Sequence, residues 1–401
     1  MVNVIGLGYI GLPTALMLAS HGVSVVGTDI NRKTIERLNS GETTFREKGL
    51  DELFSSALEN GIRFSTEYCK TDMYIVSVPT PYDDATKKVD PTYVITAVKQ
   101  VLQIAPKGAT LIIESTISPG TIDRYVRPLI AEYGFCADDI HLVHAPERIL
   151  PGNMLYELEY NARTIGADDP QIGERVKKLY SSFCKGAIVL TDITTAEMTK
   201  VIENTYRAVN IAFANELMML CHKEGMDINE IIHICNMHPR VNILSPGPGI
   251  GGHCIPIDPW FLVGDFGEQM PLVRTALEIN REMPEFVFSR ICDVMKTHGI
   301  SDFSRVGLYG LTYKENVDDV RESPTLQLLA RHPESFKVYD PMVSRTLVDN
   351  QLFSFDEFCN ACDMIVLMVG HDEIKSNDDW QSGKVILDTR NVCHGKNVYH
   401  L

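Results

Sequence analysis

Short apolar runs recur along the first half of the chain, each followed by a stretch of helical character. Val2–Ile5, Val23–Val26, Met73–Val78, Thr110–Glu114, Ile140–His144 and Ala187–Leu190 have the length of strands, and several are apolar at successive positions. Strands apolar on both faces and separated by helices predict a parallel sheet covered on both sides. The pattern changes between Gly186 and Gly225, where neither Gly nor Pro interrupts a run rich in Ala, Glu, Met, Leu and Lys. This predicts a helix of about 30 residues beginning near Asp192–Thr195, which offers capping side chains. Such a length suits a bridge between domains or subunits. After a loop rich in Gly and Pro, Ser245 to Pro259, more helix runs to about residue 298. A second series then begins, with Arg305–Tyr309, Lys337–Tyr339, Met364–Val369 and Lys384–Leu387 as strands. Its first helix starts at Ser323-Pro324, Ser as cap and Pro at the first position. The layout is α/β, then helical, then α/β.

Composition narrows the function. The chain has 401 residues and 37 Lys and Arg against 53 Asp and Glu, a formal charge of −16. That balance disfavours a general nucleic-acid binder, which needs a basic footprint, but permits a locally basic pocket for a small anion. No basic leader precedes Val2, and apolar runs such as Met364–Val369 are far short of the ~20 residues a spanning helix needs. Ten scattered cysteines fit a reducing compartment, so we expect a cytoplasmic protein. Cys359 and Cys362 have CxxC spacing, but with no second pair and no neighbouring His they read as packing.

Gly6-Leu7-Gly8-Tyr9-Ile10-Gly11 follows the first strand and opens a helix. The glycines permit a tight turn and close approach of backbone to a pyrophosphate at the helix N-terminus. Asp29 ends the second strand, where a carboxylate accepts hydrogen bonds from an adenosine ribose. It would repel a 2′-phosphate, favouring NAD over NADP, with Arg32 and Lys33 on the other side of the balance. Two further strand ends carry polar loops, Val78-Pro79-Thr80-Pro81 and Glu114-Ser115-Thr116. Ligands sit outside the C-terminal strand ends of such sheets, so Thr80 and Thr116 are candidate cofactor contacts, ordinary turn chemistry being the alternative. Another strand ends in His144-Ala145-Pro146-Glu147-Arg148: Glu147 suits proton transfer or water positioning, Arg148 a phosphate or carboxylate.

Lys200, Asn204, Arg207 and Ile211 share a face of the long helix. The densest signal is Gly249-Ile250-Gly251-Gly252-His253-Cys254-Ile255-Pro256-Ile257-Asp258. A thiol of pKa ~8.5 needs a cationic neighbour to act as a nucleophile at neutral pH, and Lys200 or His253 are the candidates. Zinc competes, since His233, Cys235, His238, His253 and Cys254 are close in sequence, but their spacing matches no standard zinc pattern, and we expect no metal.

With the nucleotide fingerprint, the Lys200–Asn204 stripe and the Gly-Gly-His-Cys-Ile-Pro-Ile-Asp loop in this order, the chain resembles the UDP-glucose/UDP-N-acetylmannosamine dehydrogenase family over essentially its whole length. The resemblance implies an α/β fold of two Rossmann-like doubly wound domains joined by a long central helix and a helical dimerisation region. Residues 1–190 would bind NAD, 191–298 carry dimerisation and chemistry, and 299–401 bind the UDP-sugar. His253 and Ile257 stand where the UDP-glucose branch usually has Ser and Lys, and with Asn236–Leu244 they point to the UDP-N-acetyl-D-mannosamine branch. UDP-N-acetylglucosamine, UDP-N-acetylgalactosamine and UDP-glucose enzymes are the alternatives.

The implied chemistry is a four-electron oxidation of the sugar C6 alcohol to a carboxylate with two NAD, supplying surface polysaccharide synthesis. Cys254 matches the nucleophile, Lys200 and Asn204 the oxyanion and proton-handling pair, Asp258 and Glu147 the assisting carboxylates. The cofactor contacts are Gly6, Gly8, Tyr9, Ile10, Gly11, Asp29, Lys33, Thr80 and Thr116. The same resemblance places Arg148, Ile149, Lys200, Asn204, Arg207, His238, Arg240, Gly251, Tyr313, Lys314 and Arg321 around the substrate. It implies a homodimer in which the His238–Arg240 segment reaches the neighbour's site. A two-electron hydroxyacid dehydrogenase would need neither Cys254 nor a second α/β domain, and a non-catalytic NAD sensor would not keep Lys200, Asn204, Cys254 and Asp258.

Overall fold

The apolar runs become two separate sheets. In the computed structural model, which describes residues 1–83, 85–150, 152–252, 254–376 and 379–401, the chain falls into two compact units. One is Met1–Glu203 with Gly264–Phe266, the other Asn204–Val263 with Gly267–Leu401.

The first unit is built on β1 (Val2–Ile5), β2 (Val25–Thr28), β3 (Arg63–Ser65), β4 (Met73–Val76), β5 (Ala109–Ile113), β6 (Ile140–His144), β7 (Arg163–Ala167) and β8 (Ile188–Thr191). They lie in the order β3-β2-β1-β4-β5-β6-β7-β8. All neighbours are parallel except β6 and β7. The order reverses direction between β1 and β4, which defines the crevice where such folds hold a nucleotide. Alternate residues feed two cores. Val2, Val4, Ile75 and Ile112 join one with the helix Gly11–Ser20, while Ile5, Tyr74, Val76, Leu111 and Ile113 join another with the helix Thr92–Ile104. Double-sided burial explains the unbroken apolar runs. β8 departs from expectation: it is an edge strand, and Val189 is 55 % exposed.

The second unit repeats the plan with β9 (Val306–Tyr309), β10 (Lys337–Tyr339), β11 (Gln351–Leu352), β12 (Met364–Leu367), β13 (Val385–Asp388) and β14 (Val398–His400). Its order is β11-β10-β9-β12-β13-β14, all parallel. The helix Pro271–His298 packs Met283, Val287, Ile291 and Val294 into the same core as Val306, Leu308, Met364 and Val366. Ser323 caps the helix Pro324–Arg331, its hydroxyl accepting from the Leu326 amide (3.4 Å).

The long helix spans Ile193–Glu224, 32 residues, and the boundary between the units falls inside it. Asp192 starts it: its carboxylate accepts from the Thr195 amide (2.8 Å) and hydroxyl (2.6 Å), satisfying donors that a helix start leaves open. Among the described residues, no helix is long and apolar enough to cross a membrane.

Candidate functional site

The turn after β1 is set by two glycines. Gly6 has φ +88°, and a Cβ there would stand 2.3 Å from the Ser77 carbonyl oxygen; one on Gly11 would stand 1.9 Å from the Gly6 oxygen. Gly8 differs, since a Cβ there would meet nothing within 4 Å. The first and third glycines are therefore fixed by protein packing, while the space above Gly8 leaves room for a pyrophosphate. Ile10 holds the cap position of the following helix, and Tyr9 packs on Phe45 with ring centroids 4.4 Å apart. Asp29 braces the loop: its carboxylate accepts from the Leu7 amide and the Asn31 amide, both at 2.8 Å. Lys33 is exposed, and its amide donates to the Asn31 side chain. Thr80 is buried and Thr116 half-buried on the loops after β4 and β5. Ser115 laces these loops together, its hydroxyl accepting from the Val78 amide (2.8 Å) and donating to the Val78 oxygen (2.7 Å). This residue set fits a dinucleotide.

Beyond β6, Glu147 is buried, with one carboxylate oxygen accepting from the Arg148 amide (2.6 Å) and the other from the Arg163 guanidinium. Arg163 also reaches Glu114 (3.4 Å), a fully buried carboxylate that accepts from Tyr180 (3.1 Å) and Thr14 (3.4 Å). Burial pushes Glu114 up to about 7; Arg163 opposes the rise and Glu147 adds to it. The Arg148 guanidinium donates to Thr164 Oγ1 (2.6 Å) and the Ala162 oxygen (3.2 Å) and pairs with Glu203 (3.1 Å). Ile149 is buried in the core against the first helix. Lys200, in the same unit, is 5 % exposed on the long helix.

The second unit gathers the thiol loop. Asn204, one helical turn past Lys200, donates through its side-chain amide to Asp258 (2.6 Å), and both are buried. Asp258 opens the helix Asp258–Phe266, followed by Pro259, and its amide donates to the Cys254 carbonyl (2.8 Å). Cys254 therefore sits on the turn whose far end is this carboxylate. Gly251 and Gly252 pass directly over Tyr313, where added Cβ atoms would come within 2.5 Å and 2.8 Å of its side chain. Burial, then Asp319, pushes the Tyr313 phenol up to about 12, and Cys254 and Arg207 are near enough to act on it electrostatically. Arg321 grips Asp319 with Nε (3.0 Å) and Nη2 (2.7 Å), while its carbonyl accepts from the Gly252 amide (2.8 Å). Lys314, half-buried, accepts the Thr312 hydroxyl on its carbonyl (3.0 Å). His238 and Arg240 are exposed after the helix Ile228–Asn236, where the Arg240 amide donates to His238 Nδ1 (3.3 Å). His253 lies outside the described residues. Among the described residues, no three His, Cys, Asp or Glu side chains form a group that could hold a metal ion.

Three supporting residues escaped the sequence reading: Ser115, Arg163 and His371. His371 is buried between Asp340 (3.3 Å) and Thr312 (3.3 Å), and its Nδ1 accepts from the Asn316 amide (3.0 Å). It locks the loop carrying Tyr313 and Lys314 to the end of β10.

A dinucleotide crevice in one unit, and in the other a cysteine on the turn that opens the helix of a buried carboxylate, define the class: an NAD-dependent dehydrogenase with a second nucleotide-binding-type domain. Residues 1–184, 194–282 and 307–395 match the NAD binding, central and UDP binding domains of the UDP-glucose/GDP-mannose dehydrogenase family. The UDP-N-acetyl-D-mannosamine dehydrogenase of Methanocaldococcus jannaschii is 43% identical over 98% of this chain and 92% of its own length. A UDP-D-ManNAc dehydrogenase structure from Pyrococcus horikoshii superposes with TM-score 0.92 at 36% identity, covering 100% of this chain and 99% of that one. The Staphylococcus aureus UDP-N-acetyl-mannosamine dehydrogenase Cap5O gives 0.89 at 39% identity, covering 100% and 97%. The chain belongs to the UDP-glucose/GDP-mannose dehydrogenase family: it is an NAD-dependent oxidoreductase acting on a UDP-sugar.

Proposed function

We propose that the protein oxidises the C6 alcohol of UDP-N-acetyl-D-mannosamine to the carboxylate, consuming two NAD and one water. The observation that carries this reading is the Cys254–Asp258 turn, with its carboxylate held by Asn204. NAD, when bound, accepts a hydride from C6 in each of the two oxidations. Between them the Cys254 sulfur adds to the aldehyde carbon, and the thiol proton passes to the new oxyanion. The second oxidation of this thiohemiacetal leaves a thioester. Water attacks the thioester carbonyl, the C–S bond breaks, and the thiol is restored as the uronate departs. Covalent retention keeps the aldehyde from escaping between the two oxidations. Lys200 and Asn204 serve the oxyanion, and Asp258 and Glu147 handle protons and the hydrolytic water.

Functionally we divide the chain into residues 1–190 for NAD, 191–298 for chemistry and association, and 299–401 for the nucleotide. Arg148, Arg207, Tyr313, Lys314 and Arg321 are its proposed substrate contacts, with His238 and Arg240 serving the neighbour's site. An apolar stripe on the long helix supports a homodimer: Ile202, Tyr206, Phe213 and Leu220 are each between 49 % and 62 % exposed. The ten cysteines, none of them disulfide-bonded, suit a cytoplasmic enzyme. The test is NADH formed per sugar nucleotide, with kcat/KM compared among UDP-N-acetylmannosamine, its glucosamine and galactosamine counterparts, and UDP-glucose. We expect two NADH and the highest kcat/KM for the mannosamine; one NADH per sugar overturns the four-electron reading.

A further inference from the structure

β7 runs antiparallel to its neighbour β6, and this reversal has a chemical consequence. Register pairs Val143 with Ala167 and His144 with Gly166. Continued three residues past β6, it sets Glu147 opposite Arg163, so the first residue of β7 stands at the C-terminal edge where ligand-facing groups collect. β5 delivers Glu114 to the same place, since Ile113 pairs with His144.

We propose that Arg163 is a positioning residue for the reaction: gripped between Glu114 and Glu147, its guanidinium fixes the orientation of the Glu147 carboxylate. The inference rests on the reading of Glu147 as a proton-handling group. Arg163 is 3 % exposed and also lies over the Tyr180 ring, 4.1 Å from its centroid, so the fork has little freedom of its own. One Glu147 oxygen is taken by Arg163 and the other by the Arg148 amide, which leaves the carboxylate a single orientation. The residues on either side of Arg163, Ala162 just before the strand and Thr164 within it, hold the Arg148 guanidinium. One strand start thus anchors both candidate side chains of the loop. Glu114 completes the grip: its Oε1 faces Arg163, Tyr180 and Thr14, while its buried Oε2 has no hydrogen-bond partner. Burying three ionisable groups together is a poor way to gain stability, because each ion's desolvation costs several kcal/mol. A purely structural site would be served as well by apolar side chains; a site that must orient a carboxylate would not.

The experiment uses the full-length enzyme with NAD and UDP-N-acetylmannosamine, and compares Glu147→Gln, Arg163→Lys, their combination, and Arg163→Gln/Glu114→Gln. The last replaces both groups by neutral amides, so it gives a second test if the lysine variant melts. Glu147→Gln is expected to lose about 100-fold in kcat, in the range of a lost acid–base group. Arg163→Lys and the double glutamine variant are expected to lose at least about tenfold, with both KM values within about threefold of wild type. Adding Arg163→Lys to Glu147→Gln is expected to cost no more than about twofold further, because the two act as one unit. Full kcat in Glu147→Gln sinks the reading of that carboxylate. Loss in Glu147→Gln with full kcat in the Arg163 variants, or losses that multiply in the combination, overturn the role given to Arg163 while leaving that reading intact.

Discussion

A backbone turn places Cys254: its carbonyl receives the Asp258 amide, and Asp258 is held by Asn204. On the thioester mechanism, Cys254→Ala leaves cofactor binding in place and stops the pathway at the aldehyde. We expect no uronate by mass spectrometry and no more than one NADH per sugar; uronate at the wild-type rate would refute the covalent route. These three residues were legible because sequence carries them within one short loop and one helix face. Arg163 and Ser115 were not, since their roles depend on a strand reversal and on two loops meeting, neither of which spacing reveals. The buried cluster also makes a stability prediction. Glu114 ionises near 4.5 in the unfolded chain and near 7 when folded, so between those values the folded chain holds the extra proton. Its stabilising contribution is complete below pH 4.5 and is lost as pH rises to 7, by about 3 kcal/mol. Glu114→Gln cannot ionise, so its unfolding free energy in urea should fall less than wild type between pH 5 and 8, by roughly that amount. Parallel pH curves for the two proteins would contradict the assignment.

The strand–turn–helix element at the start of each sheet is the same device used twice. The Gly6 amide donates to the Thr28 oxygen and the Gly310 amide to the Tyr339 oxygen, both at 2.8 Å. The Leu7 amide donates to Asp29 (2.8 Å) and the Leu311 amide to Asp340 (2.6 Å). The carboxylates then diverge. Asp29 is half-exposed and open to a ribose, whereas Asp340 is buried and bonded to His371. Burial opposes ionisation of Asp340, but His371 holds it below the usual carboxylate range. The second copy has thus turned its ribose-type carboxylate inward to fix the loop of Tyr313 and Lys314. This repetition was invisible in sequence because it lives in hydrogen bonds between dissimilar side chains. The short strands Arg63–Ser65, Arg163–Ala167, Gln351–Leu352 and Val398–His400 escaped for a related reason, being short or polar rather than unbroken apolar runs. Gly11 gives the element its sharpest test. A Cβ there would stand 1.9 Å from the Gly6 oxygen, and that backbone cannot yield without moving β1. Gly11→Ala should raise the KM for NAD at least about tenfold, since a displaced turn misplaces every pyrophosphate donor. Unchanged KM and melting temperature would show that the turn has slack.

At the scale of the molecule, the charge of −16 sets a condition that only local exceptions meet. An acidic protein repels both a dinucleotide and a UDP-sugar at long range, so specific donors must overcome that field at short range. Arg321 is held by Asp319 and Arg148 by Thr164 and Glu203, so both guanidinium groups are fixed in orientation within their own units. Charge also keeps like molecules apart, so any association must come from apolar surface that outweighs it. The long helix offers such a surface: Ile202, Tyr206, Phe213 and Leu220 fall on one face, spaced by four, seven and seven residues. On a helix buried within a monomer these positions would be covered, and on a fully solvated one they would be polar. If a second copy covers the stripe, a charge at its centre must be desolvated on association, at a cost of several kcal/mol per protomer. We therefore expect the wild type to sediment as a dimer at micromolar concentration and Tyr206→Glu/Phe213→Glu as a monomer. The variant's far-UV circular dichroism should be unchanged, because both side chains already face solvent within the chain. A variant that still sediments as a dimer would place the subunit contact on another face, and would leave the apolar stripe without the partner argued for it.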